Sequence, residues 1–356
     1  MLNVSNSASS EKSNRENSLP SIEMVKGIPT YVSPYMLDRD ALGKQILHNC
    51  AINPPDMYTV EDIWKNHPDF PIAVCFNVHS LCNERCVMCP YKSTDAKSPT
   101  RIMDFEKFQK AWNEFVEAGG RIGTFNNFSD IFAHPAGMDY VRHALKYQDK
   151  VNVYFVTNGL ALKKEYVDEI IATGWNDIIY ISCHGFSKET FHKVTGVNAF
   201  DRVLENATYM AKRHPKPQNI IIQYAADYSD KAEIDAALSY WGGLGCTVNK
   251  FFTHTFAGNS DHRAEEAKEG RLAGCKGWGY DAGQLFFQAV VQENGNLTLC
   301  CQDLHGKIVI GDVFSDGLIS SWKSNRMKNL IGLIYRGGTN PKVMEICRKC
   351  NLAQMV

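Results

Sequence analysis

Three cysteines lie within one short segment of the chain: Cys82, Cys86 and Cys89, spaced C-x-x-x-C-x-x-C and followed directly by a proline. Three thiolates this close on a loop can each bind one iron of a cubane cluster and leave the fourth iron open. An open iron can bind and reduce a small molecule, whereas the four-thiolate clusters of electron-carrier ferredoxins have no vacant position. The alternative is a structural zinc site, which normally takes four ligands arranged in pairs. The spacing therefore favours a catalytic iron-sulfur cluster.

The composition excludes several classes of protein. Of the 356 residues 44% are hydrophobic, enough for one large domain with a sizeable core and a smaller appendage. The formal net charge is -1 and no segment is dense in Lys or Arg, so no nucleic-acid partner is expected. There is no signal peptide and no run of about 18 apolar residues, which predicts a cytoplasmic protein that does not enter a membrane. In that compartment the 12 cysteines are expected to stay reduced and to bind metal or do chemistry.

Strand and helix patterns alternate along the chain. Apolar runs predict strands at 72–78, 121–128, 151–157, 177–182, 219–225 and 249–256, and apolar residues at helical spacing predict helices at 104–118, 138–147, 163–173, 200–213 and 231–244. Such alternation implies parallel strands joined by right-handed crossovers. We therefore predict an α/β fold with a partial (β/α)6 barrel. Reactive residues are expected on loops at the carboxyl ends of its strands, and the cysteine loop follows the first strand.

The cysteine spacing, with the apolar Met88 before the third cysteine, and the order of elements over roughly 72–256 resemble the radical S-adenosylmethionine (radical SAM) superfamily. The resemblance implies that Cys82, Cys86 and Cys89 hold a 4Fe-4S cluster whose open iron binds the amino and carboxylate groups of SAM, with Met88 beside this cofactor. An electron from the cluster would cleave SAM to a 5'-deoxyadenosyl radical. A flavodoxin- or ferredoxin-type protein is the implied reductant.

Other strand ends resemble segments that bind SAM in this family. Ser129 and Asp130 stand where a Gly-Glu-Pro-like segment holds the SAM amino group, although aspartate is one methylene shorter than glutamate. Asn158 lies in a Thr-Asn-Gly segment common in the family, for which an ordinary Asn-Gly turn is the alternative interpretation. Ser182 lies in a Ser-x-x-Gly segment that lines the SAM pocket. Close by, His184 is a candidate general base, because the pKa of histidine lies near neutrality.

The C-terminal region carries a second group of cysteines. Apolar runs at 285–292 and 297–300 are joined by Glu-Asn-Gly-Asn, a hairpin turn signal, and a helix is predicted at 318–333. Cys275, Cys300, Cys347 and Cys350 can form a closed four-thiolate site, which suits zinc or a second iron-sulfur cluster. The step from Gly295 to Cys300 resembles the hairpin of the SPASM domain and of its shorter form, Twitch. The number of cysteines implies the Twitch-like case, with one auxiliary 4Fe-4S cluster.

Cys300 and Cys301 are adjacent, so their side chains point to opposite faces of a strand and one of them is expected to reach the cluster. The spacing favours Cys300 and leaves the choice open. By resemblance to the radical epimerases, Cys301 is then a candidate donor of a hydrogen atom to a substrate radical, the alternative being a packed thiol. Asp303, in the same segment, completes the candidate catalytic residues.

These observations predict four regions: a disordered N-terminus at 1–20, an extension at 21–71, the radical SAM barrel at 72–260 and the Twitch/SPASM-like domain at 261–356. The expected reaction is abstraction of a hydrogen from a small polar substrate, such as a sugar or an aminocyclitol in natural-product biosynthesis, giving oxidation or epimerisation. Residues 22–71 are too short and too rich in proline for a leader-binding domain, which favours a small molecule over a ribosomal peptide. The alternatives are a peptide-modifying maturase and, more remotely, a non-enzymatic zinc or iron-sulfur protein.

Overall fold

The computed structural model describes residues 22–25, 28–31, 59–65, 67–91, 99–125, 128–251, 253, 255–258, 269–270, 272–275, 284–335, 341–350 and 353–355. The predicted disordered N-terminus lies outside these residues, as do most of the predicted extension and residues 259–268. Before the barrel, β1 (Ile22–Val25) and β2 (Ile28–Tyr31) form an antiparallel pair, and α1 spans Val60–Lys65.

Parallel strands then alternate with helices. In chain order they are β3 (Ala73–Phe76), α2 (Phe105–Glu117), β4 (Ile122–Thr124), α3 (Gly137–Leu145), β5 (Asn152–Thr157), α4 (Lys164–Ala172), β6 (Ile179–Ser182), α5 (Lys188–Thr195), α6 (Phe200–Arg213), β7 (Ile220–Ala225), α7 (Lys231–Gly243) and β8 (Thr247–Phe251). Each strand from β3 to β8 pairs parallel with the next, which confirms the predicted α/β partial barrel. The predicted sixth strand is shifted along the chain, because its pairing with β7 runs from Thr247 to Phe251.

The helix α2 illustrates how the sequence forms these units. Asp104 precedes it, and its side chain accepts a hydrogen bond from the Lys107 backbone N–H at 2.9 Å, which caps the helix. Phe108 and Trp112 recur at helical spacing, are fully buried and contact the ring of Phe76 in β3. One face of β3 is therefore covered by α2.

The other face of β3 looks into the barrel. Ala73 packs with Ile122 of β4 and Phe287 in a small cluster separate from the main core. Side chains alternate along a strand, so Cys75 faces the same way as Ala73. Further along the barrel the neighbouring residues Ser182 and Gln223 are half-buried and joined side chain to side chain. The interior thus becomes polar towards the carboxyl ends of the strands.

A hairpin from the C-terminal region extends the barrel sheet. After β9 (Leu272–Cys275), the strands β10 (Gln288–Val291), β11 (Asn296–Thr298) and β12 (Val309–Asp312) form an antiparallel meander. β10 also pairs parallel with β3, from Gln288 opposite Ala73 to Val291 opposite Phe76. Over the described residues, the nine-stranded order is β12-β11-β10-β3-β4-β5-β6-β7-β8. The hairpin was predicted, but its pairing with the free edge of β3 was not.

The remaining elements pack beside this junction. They are α8 (Val313–Asp316), α9 (Leu318–Trp322), α10 (Asn325–Tyr335), α11 (Pro341–Arg348) and β13 (Ala353–Met355), which pairs antiparallel with β9. The prediction of one helix over 318–333 is wrong, because Ser324 Oγ accepts a hydrogen bond from the Met327 N–H at 3.2 Å and starts a new helix. None of the described helices combines the length and the apolar character that crossing a bilayer requires.

Glu114 of α2 connects the barrel to α9. Its carboxylate accepts hydrogen bonds from the backbone N–H groups of Leu318 and Ile319 at 2.8 and 3.0 Å.

We expect Glu114→Ala to leave the first turn of α9 without these acceptors and to lower the free energy of unfolding by about 1–2 kcal/mol, as for other helix caps. Thermal denaturation measures the effect. Glu117→Ala, at an exposed glutamate of α2, is the control, and equal melting temperatures for Glu114→Ala and the wild type would contradict the assignment.

Candidate active site

The cysteine loop connects β3 to α2 and lies at the carboxyl edge of the sheet. Its backbone is held by the end of α5. The N–H groups of Arg85 and Val87 donate hydrogen bonds to the carbonyls of Thr195 and Val194, both at 2.8 Å. Within the loop, the Cys89 N–H donates to the Cys86 carbonyl at 3.0 Å. The protein therefore fixes the path of the loop through its own main chain.

The three cysteines of the loop are half-buried, and their thiols lie within electrostatic range of one another. Burial raises the pKa of Cys82 to about 12 and that of Cys89 to about 11, and it raises the pKa of Cys86 well above the ordinary value. The neighbouring Glu84 carboxylate raises the pKa of Cys86 further, and both other thiols add to this effect. No three His, Cys, Asp or Glu side chains in the described segments have the spacing of an assembled metal site. The donor set nevertheless fits iron, because buried thiolates need a compensating cation.

A buried carboxylate joins the ends of β4 and β5. Asp130 is 2% exposed, and its Oδ2 accepts hydrogen bonds from the Thr157 hydroxyl at 2.8 Å and the Asn158 N–H at 2.7 Å. Its Oδ1 accepts from the Phe132 N–H at 3.0 Å. Burial raises the pKa of Asp130, and these hydrogen bonds oppose the rise. Both oxygens are engaged by the protein, so this geometry favours a role in holding strand ends, and contact with SAM stays a prediction.

Asn158 links this carboxylate to the cysteine loop. Its Nδ2 donates to Asn83 Oδ1 at 2.7 Å and approaches Cys82 Sγ at 3.7 Å. On the other side of the loop, the Cys82 N–H donates to the Tyr91 hydroxyl at 3.1 Å. The sequence analysis did not identify Asn83 or Tyr91, although their positions inside and just after the cysteine motif were a usable signal.

The other residues predicted to bind SAM lie outside this network. Met88 is buried in an apolar cluster with residues of α5 and β7. The hydroxyl of Ser129 donates to Asn77 Oδ1 at 3.1 Å, and the hydroxyl of Ser182 donates to Gln223 Oε1 at 3.4 Å. Ser129 and Ser182 each follow or end a barrel strand, at the carboxyl edge where the cysteine loop also lies. Their roles in binding SAM stay predictions.

His184 follows β6 with a backbone φ of 54°, a left-handed conformation that is uncommon for a residue with a side chain. It is 7% exposed, and its ring lies 5.9 Å from that of Phe251. Burial lowers the pKa of His184 to about 4, so the imidazole is neutral at pH 7. Among the described residues its Nδ1 has no hydrogen-bond partner. Strain and an unpartnered nitrogen at a strand end are typical of functional sites, and the catalytic role of His184 stays a prediction.

The second group of cysteines comes together in the C-terminal region. Cys275 ends β9, Cys347 lies in α11, Cys350 follows α11 and Cys300 follows β11. Burial raises the pKa of Cys300 well above its ordinary value, and the neighbouring thiols raise it further; they are Cys301, Cys275, Cys347 and Cys350. Cys300 is therefore within electrostatic range of the other three predicted ligands, and a set of four thiols suits an iron-sulfur cluster.

Two predicted catalytic residues lie beside this group. The thiol of Cys301 neighbours that of Cys300. Asp303 is 2% exposed, and its two oxygens accept hydrogen bonds from the backbone N–H groups of Lys307 and Ile308, both at 2.9 Å. These bonds close the turn before β12 and favour a structural role for Asp303. The catalytic roles of both residues stay predictions.

Two protein-family models match parts of this chain. Residues 76–225 match the radical SAM superfamily, and residues 283–351 match SPASM, an iron-sulfur cluster-binding domain. A stretch of 61 residues is 48% identical to a probable GTP 3',8-cyclase of Saccharolobus islandicus. That match covers 17% of this chain and 18% of the length of the cyclase.

Several solved structures have a similar fold. BtrN in complex with AdoMet and 2-DOIA has a TM-score of 0.52 at 15% identity, over 79% of this chain and 93% of BtrN. Streptococcus suis SuiB bound to the precursor peptide SuiA has a TM-score of 0.60 at 12% identity, over 84% and 77%. The anSMEcpe protein with AdoMet and the Cp18Cys peptide has a TM-score of 0.53 at 13% identity, over 78% and 86%. At these identities the similarity concerns the fold.

The three hydrogen bonds accepted by Asp130 lead to a stability prediction. Asp130→Asn replaces one acceptor oxygen with an NH2 group that faces a donor, so we expect the free energy of unfolding to fall by about 1–3 kcal/mol. Urea denaturation measures this change. Asp149→Asn, at an exposed aspartate, is the control, and an unchanged midpoint for Asp130→Asn would show that the carboxylate does not hold the strand ends.

The buried histidines predict how stability depends on pH. Burial lowers the pKa of His79 and of His184 from 6.5 to about 4 in the folded protein, so between these values the unfolded chain binds more protons. The stabilising effect of the neutral rings is complete above about pH 6.5 and is lost as the pH falls towards about 4. We expect the melting temperature of His184→Asn to fall less steeply over this range. The exposed His192→Asn is the control and should follow the wild type; an equally steep fall for His184→Asn would refute the assignment.

Proposed function

We propose a function for this chain on the basis of its family. The chain belongs to the radical SAM superfamily and carries a C-terminal SPASM domain. Within that family, we infer an enzyme that abstracts a hydrogen atom from a small polar substrate and yields an oxidised or epimerised product. When bound, a 4Fe-4S cluster supplies the electron that cleaves SAM to methionine and a 5'-deoxyadenosyl radical. A flavodoxin- or ferredoxin-type protein is the proposed reductant.

The position of the cysteine loop is the observation that carries this proposal. Cys82, Cys86 and Cys89 lie in the loop at the carboxyl end of β3, half-buried and within electrostatic range of one another. At the same edge of the barrel, Ser182 and Gln223 provide polar groups on the neighbouring strands β6 and β7. Parallel α/β barrels bind their ligands at this edge. Three thiols and a polar interior there support a site for a cluster, a cosubstrate and a substrate together.

The side chains around the loop have separable roles in this proposal. Cys82, Cys86 and Cys89 hold the cluster, and Asn158 keeps Cys82 in position through its amide. Asp130 accepts a hydrogen bond from the backbone N–H of Asn158 and so holds the main chain that carries this side chain; we assign Asp130 as a positioning residue. Ser129, Asn158 and Ser182 remain the proposed contacts to SAM, because they lie at the carboxyl edge of the strands. The buried Met88 excludes water from beneath the loop.

The C-terminal cysteines bear on the fate of the substrate radical. Cys275, Cys300, Cys347 and Cys350 are proposed to hold one auxiliary cluster, with Cys300 as the ligand because its thiol neighbours the other three. Oxidation requires the substrate radical to give up an electron, for which the auxiliary cluster is the proposed acceptor. Epimerisation requires a hydrogen atom instead, and the Cys301 thiol is the proposed donor.

The substrate class rests on supporting observations from the fold neighbours. The BtrN structure contains 2-DOIA, and this chain covers 93% of BtrN, compared with 77% of SuiB. The similar size supports a small polar substrate. A ribosomal peptide is the second candidate, and it is supported by the TM-score of 0.60 with SuiB bound to a precursor peptide.

Anaerobic reconstitution tests the cluster assignment. We expect about eight irons and eight sulfides per chain, formation of 5'-deoxyadenosine from SAM, and an electron paramagnetic resonance signal that SAM shifts. Replacing Cys82, Cys86 and Cys89 together by alanine should abolish deoxyadenosine formation and leave about four irons on the C-terminal cysteines.

Each other outcome contradicts a defined part of the proposal. Deoxyadenosine formation by the triple variant would end the assignment of the loop. About four irons in the wild type would mean that the C-terminal cysteines hold zinc or no metal, and about twelve would indicate two auxiliary clusters.

A further inference from the structure

The junction between the barrel and the C-terminal hairpin contains a group of buried and half-buried polar side chains, of which the proposed chemistry uses only Ser129. We call Asn77, Ser129, Gln292 and Glu293 the junction subsite. Asn77 directly follows β3, and Gln292 directly follows β10, its parallel neighbour. The Asn77 N–H donates to the Val291 carbonyl at 2.8 Å, so the paired register continues to these two residues. Alternation along each strand then puts both side chains on the inner face of the barrel.

The members of the junction subsite are connected through Asn77. Its Nδ2 donates to Gln292 Oε1 at 3.2 Å and to Glu293 Oε2 at 3.3 Å, and its Oδ1 accepts from the Ser129 hydroxyl at 3.1 Å. The other oxygen of Glu293 is bound by the guanidinium of Arg101. The charge of Glu293 is therefore balanced, and what the subsite offers to a ligand is amide and hydroxyl groups.

One donor in this group lacks a partner. Gln292 is 8% exposed, and in the described part of the chain its Nε2 makes no hydrogen bond. The backbone of Gln292 is held in place, which limits where its side-chain amide can move. The Gln292 N–H donates to the Asn296 carbonyl, and the Gln292 carbonyl accepts from the Gly295 N–H, both at 2.9 Å. A buried donor without an acceptor is uncommon in folded proteins and is a reason to expect a ligand.

We propose that the junction subsite binds the substrate, and that Gln292 Nε2 donates a hydrogen bond to a hydroxyl oxygen of an uncharged, polyhydroxylated small molecule. This inference rests on the proposed function, which supplies the reaction for which the molecule is bound. The balanced charge of Glu293 disfavours a cationic or anionic group at this point. One hydroxyl group can accept from Gln292 and also donate to the hydroxyl of Ser129, whereas a peptide carries its C=O acceptor and its N–H donor on separate groups. The subsite therefore favours hydroxyl-bearing substrates over peptides.

Saturation-transfer NMR of the reconstituted, oxidised holoenzyme tests the proposal, with myo-inositol as the polyol probe and N-acetylglycine methylamide as the peptide probe. We expect myo-inositol to bind the wild type and to bind Gln292→Leu at least about tenfold more weakly. Gln288→Leu is the matched control, because Gln288 lies on the same face at the opposite end of β10. It should bind myo-inositol as the wild type does.

A stability measurement separates a binding role from a structural one. Gln292→Leu removes the unpartnered Nε2 donor together with Oε1, while Asn77 Nδ2 keeps its hydrogen bond to Glu293 Oε2, so the melting temperature should stay close to that of the wild type. If the leucine variant does not fold, Gln292→Glu keeps the size and the acceptor for Asn77, removes the donor and should also weaken binding. Weaker binding accompanied by a lower melting temperature in both Gln292 variants would assign a structural role and overturn the proposal.

The remaining outcomes also decide the question. Unchanged inositol binding by Gln292→Leu, or no inositol binding by the wild type, would refute the subsite. Binding of the peptide probe in place of inositol would overturn the polyol assignment. Deoxyadenosine formation by the wild type is measured separately, so a failure of the proposed function is distinguished from a failure of the subsite.

Discussion

The pairing of β3 with a strand on each side is the constraint on which the rest of this structure depends. β4 lies on one side of β3, and β10 of the C-terminal hairpin lies on the other. A paired central strand has little freedom to slide or twist, because its N–H and C=O groups are used in both directions. The cysteine loop follows the end of this strand, so the position of the strand fixes where the loop begins. β10 consequently extends the barrel sheet beyond β3, so the two matched domains share one sheet.

Hydrogen bonds of buried side chains connect the ends of the barrel strands to the cysteine loop. Asp130 accepts a hydrogen bond from the main chain at the end of β5. The side chain of Asn158, which follows β5, contacts Cys82 and Asn83 and so connects the strand end to the cysteine loop. A carboxylate in such an interior is tolerated because donors surround both of its oxygens. Fewer donors surround the cysteine thiols, and burial raises the pKa of Cys82 and Cys89 although backbone hydrogen bonds oppose the rise. Metal binding and folding would be coupled in such a site, because a cation compensates thiolates that are removed from water.

Two acidic side chains near the cysteines accept hydrogen bonds from the protein, and their functional roles stay predictions. Asp130 and Asp303 each use both carboxylate oxygens in this way. Asp303 accepts from residues four and five positions away, as the sequence could have suggested for a turn. Asp130 binds residues 27 and 28 positions away, and this contact exists because β4 and β5 are neighbours in the sheet. The same side chain would be free to bind a ligand in a different packing.

The sequence by itself determined the features that depend on near neighbours along the chain. The cysteine spacing, the alternation of strands and helices and the bounds of α6 at Phe200–Arg213 agree with the structure, because periodicity and turn residues are local properties. The tertiary structure alone decided the pairing of β10 with β3 and the contact of Asn77 with Gln292, which are 215 residues apart. Many strands have sequences compatible with the free edge of a sheet, and which one pairs there depends on the packing of the whole chain. For the same reason the cysteines could be recognised from the sequence, whereas the junction subsite could not.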